Sequence, residues 1–382
     1  MNVHLKSNRN IHIDFLRGIS ILVVMLSHLC FAGTFTSPVL VSSKLYSAIE
    51  ANGYLGVTIF FVISGYIITQ RSLQRYDSFD NIHIGHFFIY RISRILPPLI
   101  LVVTLNLILF YIKYPGFEIP AQLHISLGKL LSYIFTFRFN LLYTQGAYTL
   151  LPWAPLWSLA IEEVFYLCFP ITSKILRTKL FMCVLFIGVF IQGYFFRKTS
   201  NTLGGGLYMY RGCFDSLALG CLVATVTSHF SWLNKHPQLA RNLRWLGLIV
   251  ILSFFLGFNG HYKDSFIWLT VPISIGTGIF LYGTSGDTTS YLNDKKKSVY
   301  RIIGLVGFLS YELYIFHLPS YVFFNHTINK LYSLTHEILP NDITFIAYAT
   351  LLTACCFILS KYYCEPALKI IRNSANRKIN IN

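Results

Sequence analysis

The chain has 382 residues, of which 54% are apolar and only 12% are Asp, Glu, Lys or Arg, and its mean hydropathy is +0.56. Soluble proteins carry about 25% charged residues, so this composition excludes a water-soluble globule, a disordered chain and a small disulfide scaffold. The net charge of +16 is carried on short segments between apolar runs, which favours membrane orientation over a nucleic-acid partner. The sequence therefore predicts an all-α polytopic membrane protein.

Apolar segments long enough to cross a bilayer, which takes about 20 residues, recur ten times along the chain. In order they are 13–31, 54–70, 95–112, 156–172, 179–196, 210–228, 245–260, 266–283, 301–321 and 343–362. An eleventh segment, 128–143, carries Lys129, Arg138 and Asn140, and we expect it to be re-entrant or to lie at the membrane interface. Ten transmembrane helices with both termini in the cytoplasm place most Lys and Arg on the cytoplasmic side. Counting 128–143 as a span would instead put Lys295–Lys297 outside.

These segments leave no linker long enough to separate a second domain. We expect a single membrane-embedded domain over 1–382, with spans and loops in about 13–363 and a basic cytoplasmic tail in 364–382.

The first span, IDFLRGISILVVMLSHLC, contains Asp14, Arg17 and His28. Eleven residues make just over three helical turns, so Arg17 and His28 share one face, with His28 about 16 Å deeper. Asp14 precedes Arg17 by one turn and can pair with it. A membrane-buried His can be a hydrogen-bonded core residue, and an Arg at a helix start can be an interfacial anchor. Ionisable groups within a span nevertheless cost at least ~2.5–3.5 kcal/mol each, which favours a functional role.

The next two patterns predict different roles, helix packing for the first and orientation or ligand binding for the second. The second span, GYLGVTIFFVISGYIIT, contains Gly53, Gly56 and Gly65, and small residues of this kind predict close helix packing. The stretch FFIYRISRILPP places Arg91 and Arg94 one turn apart. These arginines can orient the helix in the membrane, or they can bind a phosphate-bearing ligand through their bidentate guanidinium groups.

The segment WSLAIEEVFYLCFP places Ser158 and Glu162 on one helix face, whereas Glu163 points elsewhere. A carboxylate inside a span favours function for Glu162. The segment RGCFDSLALG spaces Arg211 and Asp215 as an i, i+4 pair, for which we expect a structural ion pair.

The segment FLSYELYIFHLP contributes Glu312 and His317, which are five residues apart and lie on different faces. His317 is near the outer end of its span, so an interfacial role and a catalytic role are both open. Taken together, these patterns predict a polar cavity with arginines at its cytoplasmic mouth and a His and a Glu deeper inside.

These segments, in this order, resemble the acyltransferase 3 family of integral membrane acyltransferases over nearly the whole chain, and CEPALKI corresponds to the closing Glu–Pro stretch of that family. The resemblance implies ten spans in a bacterial inner (cytoplasmic) membrane. It also implies transfer of an acyl group, commonly acetyl from acetyl-CoA, to a hydroxyl of a cell-envelope or exported glycan such as an O-antigen or exopolysaccharide. Some members carry an esterase-like domain after the last span, which we do not expect in this chain.

The resemblance also assigns residues by position. The Arg-x10-His pattern of the family falls on Arg17 and His28, the paired-arginine stretch on Arg91 and Arg94, and the tryptophan-serine-leucine stretch on Trp157, Ser158 and Glu162. We expect His28 to be the general base, since neutral imidazole accepts protons near neutral pH. Glu162 would orient the imidazole or hold the acceptor hydroxyl.

The remaining assignments concern the donor and the acceptor. Arg17, Arg91 and Arg94 would bind the phosphates of acetyl-CoA or another acyl-CoA, and Trp157, Ser158 and His317 would contact a glycan or lipid-linked oligosaccharide. We expect no metal and no nucleic acid. Whether the acyl group passes directly to the glycan or through a protein side chain is open.

Two rival functions fit the composition. A transporter or flippase for lipid-linked sugars would also have ten spans and a polar cavity, but it predicts inverted repeats and interrupted helices in both halves, and the sequence contains neither convincingly. A non-catalytic membrane receptor would leave the buried His and Glu unexplained.

Overall fold

A computed structural model describes residues 9–31, 42–200, 203–257, 265–285, 299–335 and 341–379. Within these ranges the chain forms helices joined by turns, with no strand, which confirms the predicted all-α class.

The α-helices of the described residues are α1 (Ile11–Phe31), α2 (Ser43–Asn52), α3 (Leu55–Tyr76), α4 (Ile84–Tyr111), α5 (Leu127–Phe135), α6 (Phe139–Thr144), α7 (Leu156–Leu176), α8 (Lys179–Thr199), α9 (Leu203–Tyr208), α10 (Tyr210–His229), α11 (Pro237–Gly257), α12 (Ser265–Thr284), α13 (Val299–Phe308), α14 (Ser310–Thr335), α15 (Asn341–Leu359) and α16 (Glu365–Ile379). Short 3₁₀ helices cover Ala121–Leu123, Leu151–Trp153 and Ser231–Lys235. A π-helix, Ser360–Cys364, joins α15 to α16, so the predicted tail is helical as far as Ile379.

Six helical stretches in the described part of the chain are long and apolar enough to cross a membrane. They are Ile11–Cys30, Leu55–Tyr76, Ile84–Tyr111, Lys179–Thr199, Pro237–Gly257 and Ile343–Ala375. The consecutive helices α13 and α14 would add a seventh if they form one broken span. All ten predicted segments lie wholly or largely in helices, although 258–260 fall outside the described residues. The count of ten and the orientation of the termini stay predictions.

The segment 128–143 forms two short helices, α5 with nine residues and α6 with six. Neither reaches the length of about 20 residues that a span requires. This agrees with leaving the segment out of the spans, while its re-entrant or interfacial placement stays a prediction. Lys295–Lys297 lie outside the described residues.

The chain divides into two compact units. The first comprises Met1–Phe31, Val41–Asn81 and Thr172–Ser310, and the second comprises Ala32–Leu40, Ile82–Ile171 and Tyr311–Asn382. The prediction of one domain over the whole chain is untested by this division.

Helices in the first unit pack through glycines. A Cβ on Gly65 of α3 would lie 1.9 Å from the carbonyl oxygen of Leu217 on α10, and a Cβ on Gly220 would lie 1.9 Å from that of Val62. Backbones approach this closely only where side chains are absent, which confirms the packing role predicted for Gly65.

The outer helices of this unit expose apolar side chains. In α8, the side chains of Leu180, Val184 and Phe195 are each more than half exposed, as is Trp245 of α11. By contrast, 67% of the α1 span and 72% of the α3 span are buried. Exposed apolar faces on long apolar helices are typical of surfaces that contact lipid.

The second unit brings α4, α7, α14 and α16 together through side chains. The rings of Phe87 and Phe169 stack between α4 and α7 with their centroids 5.8 Å apart. The Tyr311 hydroxyl of α14 donates to the carbonyl oxygen of Ile95 on α4 at 3.2 Å. Asn106 of α4 donates to the carbonyl oxygen of Pro152 at 3.1 Å, just before α7. These contacts fix the helices that carry most of the predicted site residues.

Candidate functional site

The first candidate group lies at the start of α1, in the first unit. Asp14 is 2% exposed and accepts from two nitrogens of Arg9, each at 3.0 Å. Its oxygen Oδ1 also lies 3.7 Å from Nη1 of Arg17, which confirms the predicted pair. Arg9 precedes the predicted span and was not identified from the sequence; its guanidinium lies 4.3 Å from the ring centroid of Phe308.

Glycine contacts fix the position of this group. A Cβ on Gly307 of α13 would lie 1.7 Å from the carbonyl oxygen of Asp14, and a Cβ on Gly18 would lie 2.1 Å from that of Ile303. The backbones of α1 and α13 therefore touch at Asp14, and this contact fixes the position from which the Asp14 carboxylate extends.

His28 lies farther along α1 and is half-buried. Its Nδ1 is 2.8 Å from the carbonyl oxygen of Val24. A carbonyl accepts but cannot donate, so Nδ1 carries the hydrogen in this bond. In the neutral imidazole the lone pair then belongs to Nε2. The backbone of α1 thus selects the tautomer that has Nε2 as a base.

The second candidate group lies in the second unit, where Arg91, Tyr166 and Glu162 form a connected set. The guanidinium of Arg91 on α4 lies 3.5 Å from the ring centroid of Tyr166 on α7. The Tyr166 hydroxyl donates to Oε2 of Glu162 at 2.9 Å. Two residues predicted from separate motifs are therefore bridged by Tyr166. It belongs to the segment WSLAIEEVFYLCFP and follows Glu162 by four residues, but no role was predicted for it.

Glu163 follows Glu162 directly on α7, and the direction of its side chain relative to that of Glu162 stays a prediction. Both carboxylates act electrostatically on Tyr311. Glu163 is 9% exposed and interacts with Arg91. Its Oε1 and the Nε of Arg91 are buried without a hydrogen-bond partner among the described residues.

Arg94 follows Arg91 by one turn and is half-buried. It interacts electrostatically with Tyr311. Pro97 and Pro98 lie inside α4 and lack N–H groups, so the carbonyls of Ser93 and Arg94 lose their usual intrahelical donors. This turn of α4 therefore offers both guanidinium donors and carbonyl acceptors.

Ser158 and His317 are linked through Tyr314. The Ser158 and Tyr314 hydroxyl oxygens are 2.7 Å apart, and Nδ1 of His317 is 2.6 Å from the carbonyl oxygen of Tyr314. His317 is 1% exposed, and by the argument used for His28 its neutral form is a base at Nε2. Ser158 and Glu162 lie one turn apart on α7, as their spacing predicts, and Glu162 also acts electrostatically on Tyr314.

Arg372 of α16 was missed because it belongs to the predicted tail. Its Nε donates to the hydroxyl of Ser93 at 3.0 Å, its Nη2 donates to the carbonyl oxygen of Tyr90 at 3.4 Å, and its guanidinium lies 4.4 Å from the Tyr90 ring centroid. These contacts attach α16 to the turn of α4 that carries Arg91. No sequence spacing links residues so far apart in the chain.

The predicted ion pair between Arg211 and Asp215 is wrong. Asp215 is completely buried and pairs with Arg197 of α8, whose guanidinium also donates to the carbonyl of Gly212. Arg211 is exposed. A buried carboxylate requires a partner buried with it, and α8 supplies one that the i, i+4 spacing could not indicate.

The predicted site residues thus fall into two groups. Arg17 and His28 belong to the first unit, whereas Arg91, Arg94, Ser158, Glu162 and His317 belong to the second together with Trp157, which is buried at the start of α7. Among the described residues, no group of three or more His, Cys, Asp or Glu side chains could hold a metal ion.

The chain is 26% identical over 297 residues to the O-acetyltransferase OatA of Staphylococcus aureus strain NCTC 8325, a match that covers 72% of this chain and 47% of that protein. It is 26% identical over 323 residues to the peptidoglycan O-acetyltransferase OatA of Listeria monocytogenes serovar 1/2a, covering 80% and 48% respectively. The chain therefore spans about half the length of these curated relatives.

No solved structure matches the chain. The acyltransferase 3 family model, described as an acyltransferase domain, matches residues 10–361. That range contains five of the six candidate spans in full, the first part of the sixth, Ile343–Ala375, and every predicted site residue. The protein is an integral membrane protein, and it belongs to the acyltransferase 3 family.

Proposed function

We propose that the chain is a membrane O-acyltransferase that moves an acyl group, most simply acetyl, from acyl-CoA to a hydroxyl of a cell-envelope or exported glycan. The observation that carries this proposal is the match of residues 10–361 to the acyltransferase domain. The two relatives are named O-acetyltransferases, and one is named for peptidoglycan. Peptidoglycan therefore joins the O-antigens and exopolysaccharides as a candidate acceptor.

The proposed reaction requires a base. The acceptor oxygen attacks the thioester carbonyl carbon, the new C–O bond forms, and the C–S bond to CoA breaks. The base takes the hydroxyl proton during the attack and returns it to the departing CoA sulfur. His28 suits this role because its Nδ1 is held by the Val24 carbonyl and its Nε2 lone pair defines the base.

The donor requires cations for its phosphates, and Arg17, Arg91 and Arg94 are the proposed ones. A guanidinium binds phosphate oxygens through paired N–H donors. The buried Nε of Arg91 has no hydrogen-bond partner among the described residues, so an acceptor atom from a ligand would satisfy it. One turn further along α4, the Arg94 guanidinium offers hydrogen-bond donors to a phosphate. The carbonyls left without helical donors by Pro97 and Pro98 offer acceptors to other groups of the ligand.

The proposed contacts to the acceptor are Glu162, Trp157, Ser158 and His317. Glu162 already accepts from Tyr166 through Oε2, and a carboxylate has about four lone-pair positions, so it has capacity for an acceptor hydroxyl. The Ser158–Tyr314 hydroxyl pair is suited to donate to, or accept from, a sugar hydroxyl.

The proposed placement is ten spans in a bacterial cytoplasmic membrane with both termini in the cytoplasm. Reporter fusions after Arg75 and Leu176 should then report cytoplasm, and a fusion after Glu118 should report the outside. An outside signal at Leu176 would require the segment 128–143 to span the membrane.

Incubation of the purified protein with labelled acetyl-CoA and cell-envelope glycan tests the function directly. The expected result is label in ester linkage to the glycan, released by mild base. A lipid-linked sugar transporter would instead move its substrate across a vesicle membrane without transferring label. Transport without label transfer would overturn the proposed activity.

A further inference from the structure

Tyr166 contacts the proposed donor site and the proposed acceptor site with different parts of one side chain. It is 1% exposed and follows Glu162 by one turn on α7. Its ring faces the guanidinium of Arg91 at 3.5 Å from the ring centroid. Its hydroxyl donates to Oε2 of Glu162 at 2.9 Å.

The two contacts have separate physical origins. The guanidinium is attracted by the electron-rich face of the ring, which a phenyl ring also offers. The carboxylate is bound by the hydroxyl hydrogen, which a phenyl ring lacks. Replacing Tyr166 with Phe therefore removes one contact, and replacing it with Leu removes both.

The surroundings of Tyr166 strengthen both contacts. Arg91 approaches from α4, Glu163 lies on the same helix, and Tyr311 and Tyr314 of α14 interact electrostatically with Glu162. Ionic and hydrogen-bonding contacts shielded from water are stronger than the same contacts in solvent. A phenol is also rigid, so the ring that faces Arg91 and the hydroxyl that donates to Glu162 move as one body.

We infer that Tyr166 is a positioning residue that couples the donor arginine Arg91 to the carboxylate Glu162. Binding of the acyl donor and placement of the acceptor hydroxyl would then depend on the same side chain. This inference rests on the proposed function, because it takes Arg91 as a donor contact and Glu162 as an acceptor contact.

The test compares Tyr166→Phe and Tyr166→Leu in the full-length protein in detergent, with CoA affinity and the kcat of acetyl transfer measured for each. Tyr166→Phe keeps the ring, so the Kd for CoA should stay within about twofold of wild type, while kcat falls about tenfold or more because Glu162 loses a charge-assisted hydrogen bond. Tyr166→Leu should show the same loss of kcat and, in addition, a Kd for CoA raised about 2- to 30-fold, the range expected for a lost cation–π contact.

Phe169→Leu is the matched control, because it replaces a buried aromatic residue on the same helix whose ring stacks on Phe87 of α4. It should change neither Kd nor kcat beyond its effect on the amount of folded protein. The inference is overturned if Tyr166→Phe turns over like wild type, or if Tyr166→Leu binds CoA like wild type. If Tyr166→Leu does not fold, unchanged turnover in Tyr166→Phe still decides against it. Wild-type protein that neither binds CoA nor transfers acetyl would overturn the proposed function itself.

Discussion

Helices pack by different means inside each of the two units. In the first unit, glycines bring backbones into contact: a Cβ on Gly65 or Gly220 would lie 1.9 Å from a carbonyl oxygen of the facing helix. In the second unit, long polar side chains reach between helices, as Tyr311 does to Ile95 and Arg372 does to Ser93. Gly128 of that unit has open space where a Cβ would be.

This difference indicates what each unit can tolerate. Backbone contact leaves no room for an added methyl group, so the first unit depends on shape. Hydrogen bonds between side chains can be removed one at a time, with small effects on stability and larger effects on any ligand they orient. We therefore expect most substitutions in the first unit to alter folding and those in the polar part of the second unit to alter turnover.

His28 is the strongest test of this contrast, because it lies in the shape-dependent unit but is proposed to do chemistry. His28→Gln keeps hydrogen-bonding capacity and removes the titratable base, so acetyl transfer should fall about 10²–10⁴-fold. CoA affinity and the melting temperature should stay near wild type. Turnover is measured in detergent and normalised to folded protein.

His12→Gln is the control for this variant, since His12 is on the same helix and its ring is hydrogen-bonded to the Tyr300 hydroxyl. It should retain wild-type turnover. Turnover of His28→Gln within about tenfold of wild type, well short of the loss expected for a missing base, would make His28 structural. His317 would then become the leading candidate base.

The buried pair of Arg197 and Asp215 should give the largest change in stability. Asp215→Asn leaves a buried guanidinium without its counter-charge, which costs about 3–5 kcal/mol. Thermal unfolding in detergent should show a clear drop in melting temperature. Asp80→Asn, an exposed carboxylate of the same unit, should leave the melting temperature near that of wild type. Equal melting temperatures for the two variants would contradict a structural role for the pair.

Local spacing correctly predicted the helices and one ion pair. The ten segments lie in helices because each is an apolar run of helical length, and the Asp14–Arg17 pair follows from i, i+3 geometry within one helix. Ser158 and Glu162 lie one turn apart on α7 for the same reason. In each case both partners belong to one helix or to one continuous pattern.

Contacts between distant helices could not be predicted in this way. Arg197 reaches Asp215 from another helix, and Arg372 reaches Ser93 across most of the sequence. Which helix supplies the partner depends on packing, and the i, i+4 rule selects the nearest charge instead. Tyr166 was within reach of that rule, but aromatic residues are so common in membrane helices that its spacing carried little information.

A pair of glycine substitutions isolates the contribution of close packing. Gly220→Ala places a Cβ where the Val62 carbonyl oxygen lies 1.9 Å away, and forcing this contact apart should cost about 1–3 kcal/mol. Gly128→Ala meets nothing within 4 Å and should be neutral or slightly stabilising, because Ala favours the helix. Melting temperatures of the two variants give the comparison. A Gly220→Ala protein as stable as Gly128→Ala would show that α3 and α10 can move apart at little cost in stability.

The smallest expected effect is on donor affinity in the second unit. Arg94→Gln removes a half-buried guanidinium beside Tyr311, and loss of a charge-assisted contact to phosphate should weaken CoA binding about tenfold. The melting temperature should change little, because the side chain is not part of a backbone contact. Arg138→Gln is the matched control, since Arg138 is exposed in the same unit and precedes α6 on the side expected to face away from the donor.

The measurement for Arg94→Gln is a CoA titration at two salt concentrations. The wild-type protein and the control should lose affinity with added salt more steeply than Arg94→Gln, because screening weakens a contact that the variant no longer makes. Equal affinity and equal salt dependence in all three proteins would assign Arg94 to membrane orientation and leave the phosphates to Arg91 and Arg17.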